Sequence, residues 1–256
     1  MLTFWVPDAQ AQFLVPISMI VKNAKDQSWV DIFKEKMKVL KETDLGLTDY
    51  YPLNADMSWD EKQNALIVDV PTDHQYGQGS TNEISFLQVL KKDVASNSNI
   101  TKIILSTGGK PGIEFGNYGT IDHLDVQFDK QHAYFFYFPN DGSQPLLTPS
   151  TKPYSDVHTA LDAMRKDQPI GLKSPLAQTI QIDDVSLTDH VLYVSINGDQ
   201  KLQDSQLATK AFEALLLTAK EFGADKVVVK NSSLKHLGPF DLLKENKVPL
   251  APNLNE

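Results

Sequence analysis

The sequence predicts an α+β protein made of two tandem copies of one α+β unit, each a mixed or largely antiparallel sheet with two helices on one face. Three internal matches carry this reading. LTFWVPDAQAQFLVP near the start lines up with YFFYFPNDGSQPLLTP in the middle, both running strand, proline, polar turn, short apolar stretch, proline. GLTDYYPL from Gly46 and GLKSPLAQ from Gly171 open the same Gly-Leu loop at corresponding places, and YGTIDHL from Tyr118 answers LGPFDLL from Leu237. Self-similarity of this kind marks a duplicated supersecondary unit. The order in each half is strand, strand, helix, strand, strand, helix, strand, strand, and hairpin-like joins between neighbouring strands favour an antiparallel or mixed sheet. The expected limits are 1–127 for the first repeat and 131–248 for the second, with 249–256 as an extended C-terminal tail.

Each element has its own signal. In the opening strands, period two sends Tyr134, Phe136 and Phe138 one way, matching Leu2, Phe4 and Val6, so that face is expected in the core. Phe135 and Tyr137 point the other way with Thr3 and Trp5, and the Trp5 and Tyr137 rings are expected to be largely covered within the chain. Trp29, Ile32, Phe33, Met37 and Leu40 form one helical stripe behind a Ser28 to Asp31 capping box, and Val157, Ala160, Leu161 and Met164 form another behind Asp156. ALIVDV at Ala65 and VLYVSI at Val191 read as strands entered through the polar turns DEKQN and SLTDH. The second helices run from about Thr81 to Ala95 and from about Ser205 to Phe222. The first carries Ile84, Leu87, Leu90 and Val94 after Ser80 and Glu83, and the second carries Phe212, Leu215, Leu216, Ala219 and Phe222, closed by Gly223. Each leads into a strand, ITKIILST at Ile100 or ADKVVVKN at Ala224.

Composition narrows the function. At 256 residues the chain buries a core without difficulty, and a net charge of -9 with no clustered Lys and Arg argues against nucleic acid and anionic membrane surfaces as partners. The absence of cysteine excludes disulfides, thiolate metal sites and thiol nucleophiles. No apolar run is long enough to span a bilayer, and the N-terminus lacks the basic and apolar regions of a signal peptide. The chain opens inside what reads as a strand, so a signal or membrane anchor is expected upstream of it.

The chemistry-bearing residues form no strong motif. His123 beside Asp122 and near Asp125 lacks paired metal-ligand spacing, and a solvated loop is favoured. Asp189-His190 suits a turn between strands. TGGKPG at Thr107 lacks the ending of a phosphate loop and is followed by the strand-like IEFGNYG, so a hairpin is expected; YGQGS at Tyr76 is read as loop and cap. There is no GxSxG. Asp183-Asp184, and the matching Asp122 and Asp241 beyond Gly119 and Gly238, are the carboxylates to consider for hydrolysis, and turn closure is the simpler role for the last two. No catalytic, cofactor-binding or metal residue is assigned.

With YFPNDGS, GLKSPLAQ, VLYVSI and ALLLTAKEFGADKVVV in the second half, and FWVPDAQAQFLVP and ITKIILST in the first, the chain resembles the GerM (sporulation and germination) domain in tandem. The pair of units ending in LGPFDLL and VPLAPN also resembles the extracytoplasmic part of membrane-anchored anti-sigma factors of the sigma-X type. That resemblance implies a non-enzymatic sensing or scaffolding domain on the outer side of the cell membrane, without cofactors. It would meet a cell-envelope component or a protein ligand, and the sigma factor only through a cytoplasmic segment absent from this chain. The alternatives are a sporulation or spore-germination envelope protein and a hydrolase of cell-envelope polymers.

Overall fold

The structure, a computed structural model, describes residues 1–22, 27–197 and 202–255. It divides into two compact units: Met1–Phe128, which also takes in the C-terminal residues from Leu254, and Asp129–Asn253.

In the first unit the strands are β1 (Leu2–Pro7), β2 (Leu14–Met19), β3 (Asp56–Asp60), β4 (Ala65–Val70), β5 (Lys102–Thr107), β6 (Lys110–Pro111), β7 (Ile113–Phe115), β8 (Gly119–Ile121) and β9 (His123–Asp125). The helices are α1 (Trp29–Met37) and α2 (Ser80–Asn97). The main sheet runs β3-β4-β5, with β6 and β9 both pairing with β5; β4 and β5 are parallel and the other pairs antiparallel. Leu66, Val68, Ile103 and Leu105 are fully buried, whereas Ile67 and Ile104 between them are half-buried. The sheet therefore has one core face and one open face, the alternation that a pleated sheet covered on one side requires.

The single sheet expected per unit is divided. The antiparallel β1–β2 hairpin belongs to a separate small sheet, and α2 packs against both β1 and β9. Phe4 on β1 stacks on Phe33 of α1 at 4.6 Å and meets Tyr51 edge-on at 5.4 Å. Truncating a ring so enclosed costs about 3–5 kcal/mol.

The second unit repeats the plan with β10 (Tyr134–Tyr137), β11 (Leu146–Pro149), α3 (Val157–Ala163), β12 (Ile182–Thr188), β13 (Val191–Ile196) and α4 (Gln206–Glu221). The remaining strands are β14 (Lys226–Lys230), β15 (His236–Leu237), β16 (Phe240–Asp241) and β17 (Glu245–Lys247). The sheet order is β12-β13-β14-β17, with β13 and β14 parallel. The hairpin β10–β11 again stands apart, and α4 touches β10, α3 and β14. Residues Ala214 to Ala219 are all buried, so α4 is covered on more than one side and has no single stripe.

The caps at Ser28 and Asp156 form as the sequence indicates, and Ser205 caps α4 as well, each side chain accepting from the backbone N–H three residues on. Gly223 at φ +87° closes α4, and Asp189-His190, at φ +50° and +60°, turn the β12–β13 hairpin. Four expectations are corrected. Ile84 is 47% exposed, because the buried side of α2 runs through Glu83, Phe86, Leu87, Leu90, Asp93 and Val94. Ser80 and Glu83 make no cap: Gly79 holds the N-cap position without a side-chain bond, and Glu83 turns inward. Phe138 lies past the end of β10 and is 38% exposed, while Phe135, on the face thought mixed, is fully buried. The tail is not merely extended: Leu254–Asn255 form β18, parallel to β2 at Ser18 and Met19.

Candidate functional site

The residues weighed for chemistry are spent on local structure. His123 Nδ1 and Asp122 Oδ1 lie 2.6 Å apart on the surface, and that bond to the imidazole is the main cause holding the Asp122 carboxyl below its usual value. No group of three or more His, Cys, Asp or Glu suited to a metal ion occurs among the described residues. The TGGKPG segment is the β5–β6 hairpin, and its Gly109 N–H is already given to Asp69 Oδ1 at 2.9 Å. Asp183 accepts from Asn197 Nδ2 at 2.8 Å, and Asp184 sits exposed at a bulge in β12. Asp241 accepts the Leu243 N–H at 3.1 Å and pairs with Lys244.

The matched YGTIDHL and LGPFDLL segments form hairpins that dock near the start of the second helix in their own unit. In the first unit, Glu83 accepts from the N–H groups of Gly116 and Asn117 at 3.1 and 3.2 Å and from Asn117 Nδ2 at 3.0 Å. In the second, Asp204 accepts from the Gly238 N–H at 2.9 Å, and Phe240 meets Phe212 edge-on at 5.0 Å.

What sequence reasoning missed is a set of buried acids. Asp8, Glu42, Glu83 and Asp93 are all buried in the first unit, and no described acid is buried to that degree in the second. A buried carboxylate is tolerated where N–H donors replace its water. Asp8 accepts from Gln10, Gln12 and Phe13 in the β1–β2 turn, and Glu42 from the Tyr50 and Tyr51 N–H groups.

Asp93 and Asn97, one turn apart on α2, meet the free edge of β1. Asn97 takes the Thr3 N–H on Oδ1 at 2.8 Å and gives Nδ2 to the Thr3 carbonyl at 2.7 Å, as a neighbouring strand would. Asp93 Oδ1 takes the Trp5 N–H at 2.9 Å, Ser96 Oγ takes the Trp5 indole N–H at 2.8 Å, and the Lys92 ammonium lies 4.5 Å from the centre of the indole ring. Asp93 Oδ2 lies 2.7 Å from the Tyr51 hydroxyl. Burial is the main cause raising the Asp93 carboxyl well above its usual value, against the lowering bonds from Tyr51 and Trp5. Burial, then Asp93 itself, pushes the Tyr51 hydroxyl up. Partners some 90 positions apart share no local pattern, and the one sequence signal was an acid and an amide recurring at helical spacing on the buried side of α2.

This arrangement holds β1 against α2. Two repeated α+β units, each with its hairpin held against the second helix, make up a tandem GerM-type fold. The solved tandem GerMN domains of the sporulation protein GerM from Bacillus subtilis have the same fold, with a TM-score of 0.66 over 99% of both chains at 14% identity. Residues 1–124 match the family model of the anti-sigma-X factor RsiX central domain. The chain is similar, at 27% identity over 260 residues, to the anti-sigma-X factor RsiX of Bacillus subtilis (strain 168). That alignment covers 98% of this chain and 67% of the relative, so the chain spans about two thirds of the relative's length.

Proposed function

We propose that this chain is the extracytoplasmic, non-enzymatic sensing or scaffolding part of a membrane-anchored negative regulator of an extracytoplasmic-function sigma factor. The observation that carries the proposal is similarity to an anti-sigma-X factor along nearly the whole chain. In this reading the anchor and the sigma-binding segment belong to parts of the protein outside residues 1–256; no described helix is long and apolar enough to cross a membrane. The chain, with its repeats 1–127 and 131–248, would meet a cell-envelope component or a protein ligand. The acids considered for hydrolysis serve turns and ion pairs, which favours binding over turnover.

The test is a reporter driven by the cognate sigma factor. Deleting the complete gene should raise reporter output several-fold, and restoring it should reverse the rise; an unchanged reporter sinks the proposal. Release of soluble fragments from muropeptides by residues 1–256, abolished by Asp122→Asn or Asp241→Asn in folded protein, would instead establish a hydrolase.

A further inference from the structure

Asp93 is 2% exposed and joins three elements: α2, which carries it, β1 through Trp5, and the loop through Tyr51. The Tyr51 oxygen lies 2.7 Å from Asp93 Oδ2 and 3.2 Å from the Trp5 carbonyl oxygen, so one hydroxyl proton faces two acceptors. A hydroxyl donates once. If the carboxyl carries a proton, it donates to the Tyr51 oxygen, Tyr51 donates to the Trp5 carbonyl, and the Trp5 N–H returns to Asp93 Oδ1. Every polar group in that ring is then satisfied. If the carboxyl is ionised, Tyr51 turns to it, the Trp5 carbonyl loses its donor, and a charge is left in a dry junction, both of which are unfavourable.

We propose that Asp93 is a proton-operated latch that holds the β1–β2 hairpin to α2 in the first unit while protonated and loosens it when the proton leaves. The titratable neighbours are Tyr51 and Tyr50 on the loop, Glu42 behind them on the Tyr51 N–H, and Lys92 over the Trp5 ring. The second unit supplies its own comparison: the Tyr134 N–H at the matching edge goes to the uncharged Thr218 hydroxyl at 2.9 Å.

The sign follows from linkage. A carboxyl whose folded value lies above the unfolded 3.8 contributes stability that is complete below 3.8 and disappears as pH rises through the folded value. One proton gives up to about a tenfold fall in the latched-to-unlatched ratio per pH unit in that window.

Amide hydrogen exchange on the whole chain, corrected for intrinsic rates, tests this from about pH 4 to pH 8. Protection of the Trp5 and Thr3 amides should fall with rising pH while that of Tyr134 stays level, and Asp93→Asn should flatten the first pair. Trp5 protection that does not change with pH, or changes unaltered in Asp93→Asn, overturns the proposal. Should Asp93→Asn not fold, the Asp93 carboxyl is titrated by NMR in the unaltered chain. A midpoint above 3.8 with a coupled shift at the Trp5 amide supports the latch, and one at or below 3.8 overturns it.

Discussion

Asn97 shows how much one side chain does at the edge of β1, giving Thr3 both a donor and an acceptor. Asn97→Ala should cost about 1–3 kcal/mol, the penalty for leaving a partly buried backbone pair unmet, read as a lower denaturation midpoint at unchanged m-value. Gly77 is constrained from the other direction, because a Cβ there would overlap the carbonyl oxygen of Glu114. Gly77→Ala should destabilise by about 1–3 kcal/mol in the same measurement. Periodicity located α2 but rotated its face toward Ile84, since apolar residues are the signal and Glu83, Asp93 and Asn97 are not apolar. Those three serve N–H groups of a hairpin or strand edge, and which backbone groups lie opposite a helix is not written in the helix.

The hairpins explain a pair of prolines that the repeat made conspicuous. Pro16 faces Trp5 and Pro149 faces Tyr134 across antiparallel pairs, and in both cases the opposite N–H points away from the hairpin, to Asp93 or to Thr218. Each proline thus occupies a position whose own N–H would point outward, where a strand tolerates its loss. The other hairpin edges are closed too: Asn253 bonds both polar groups of Leu147, and Phe136 exchanges bonds with Lys173. Closed edges of this kind guard against pairing with other chains. Among the helices, Ser205→Ala should cost about 1 kcal/mol through loss of the α4 cap. Leu216→Ala, inside the stretch buried on all sides, should cost about 2–5 kcal/mol, and thermal melts would rank the two. The caps at Ser28 and Asp156 and the turn at Asp189-His190 followed from short-range chemistry. The separation of each hairpin from its sheet did not, because both strand pairs carry the same alternation.

At the scale of the whole molecule the two units share a plan and differ in what they bury, with four buried acids in the first and none among the described residues of the second. Acid should act on the second unit through α3: bonds from Thr159 are the main cause lowering the Asp156 carboxyl to about 2, so its cap is intact above 3.8 and is lost as pH falls toward 2. Circular dichroism of Asp156→Asn should show a weaker acid transition than the unaltered chain, and an identical one would remove the cap from the account. Removing residues 254–256 should raise exchange along the Ser18–Met19 end of β2, which pairs with β18, without altering Leu147.

The place of β18 sets an order of events during translation. The sheet begun by the first residues of the chain is completed by a strand that leaves the ribosome only after the entire second unit has been made. A nascent chain can fold most of its first unit early, yet β2 keeps an open flank until the second unit has been made. A chain truncated anywhere within the second unit would therefore carry an unfinished edge, one that quality-control proteases and chaperones are suited to recognise.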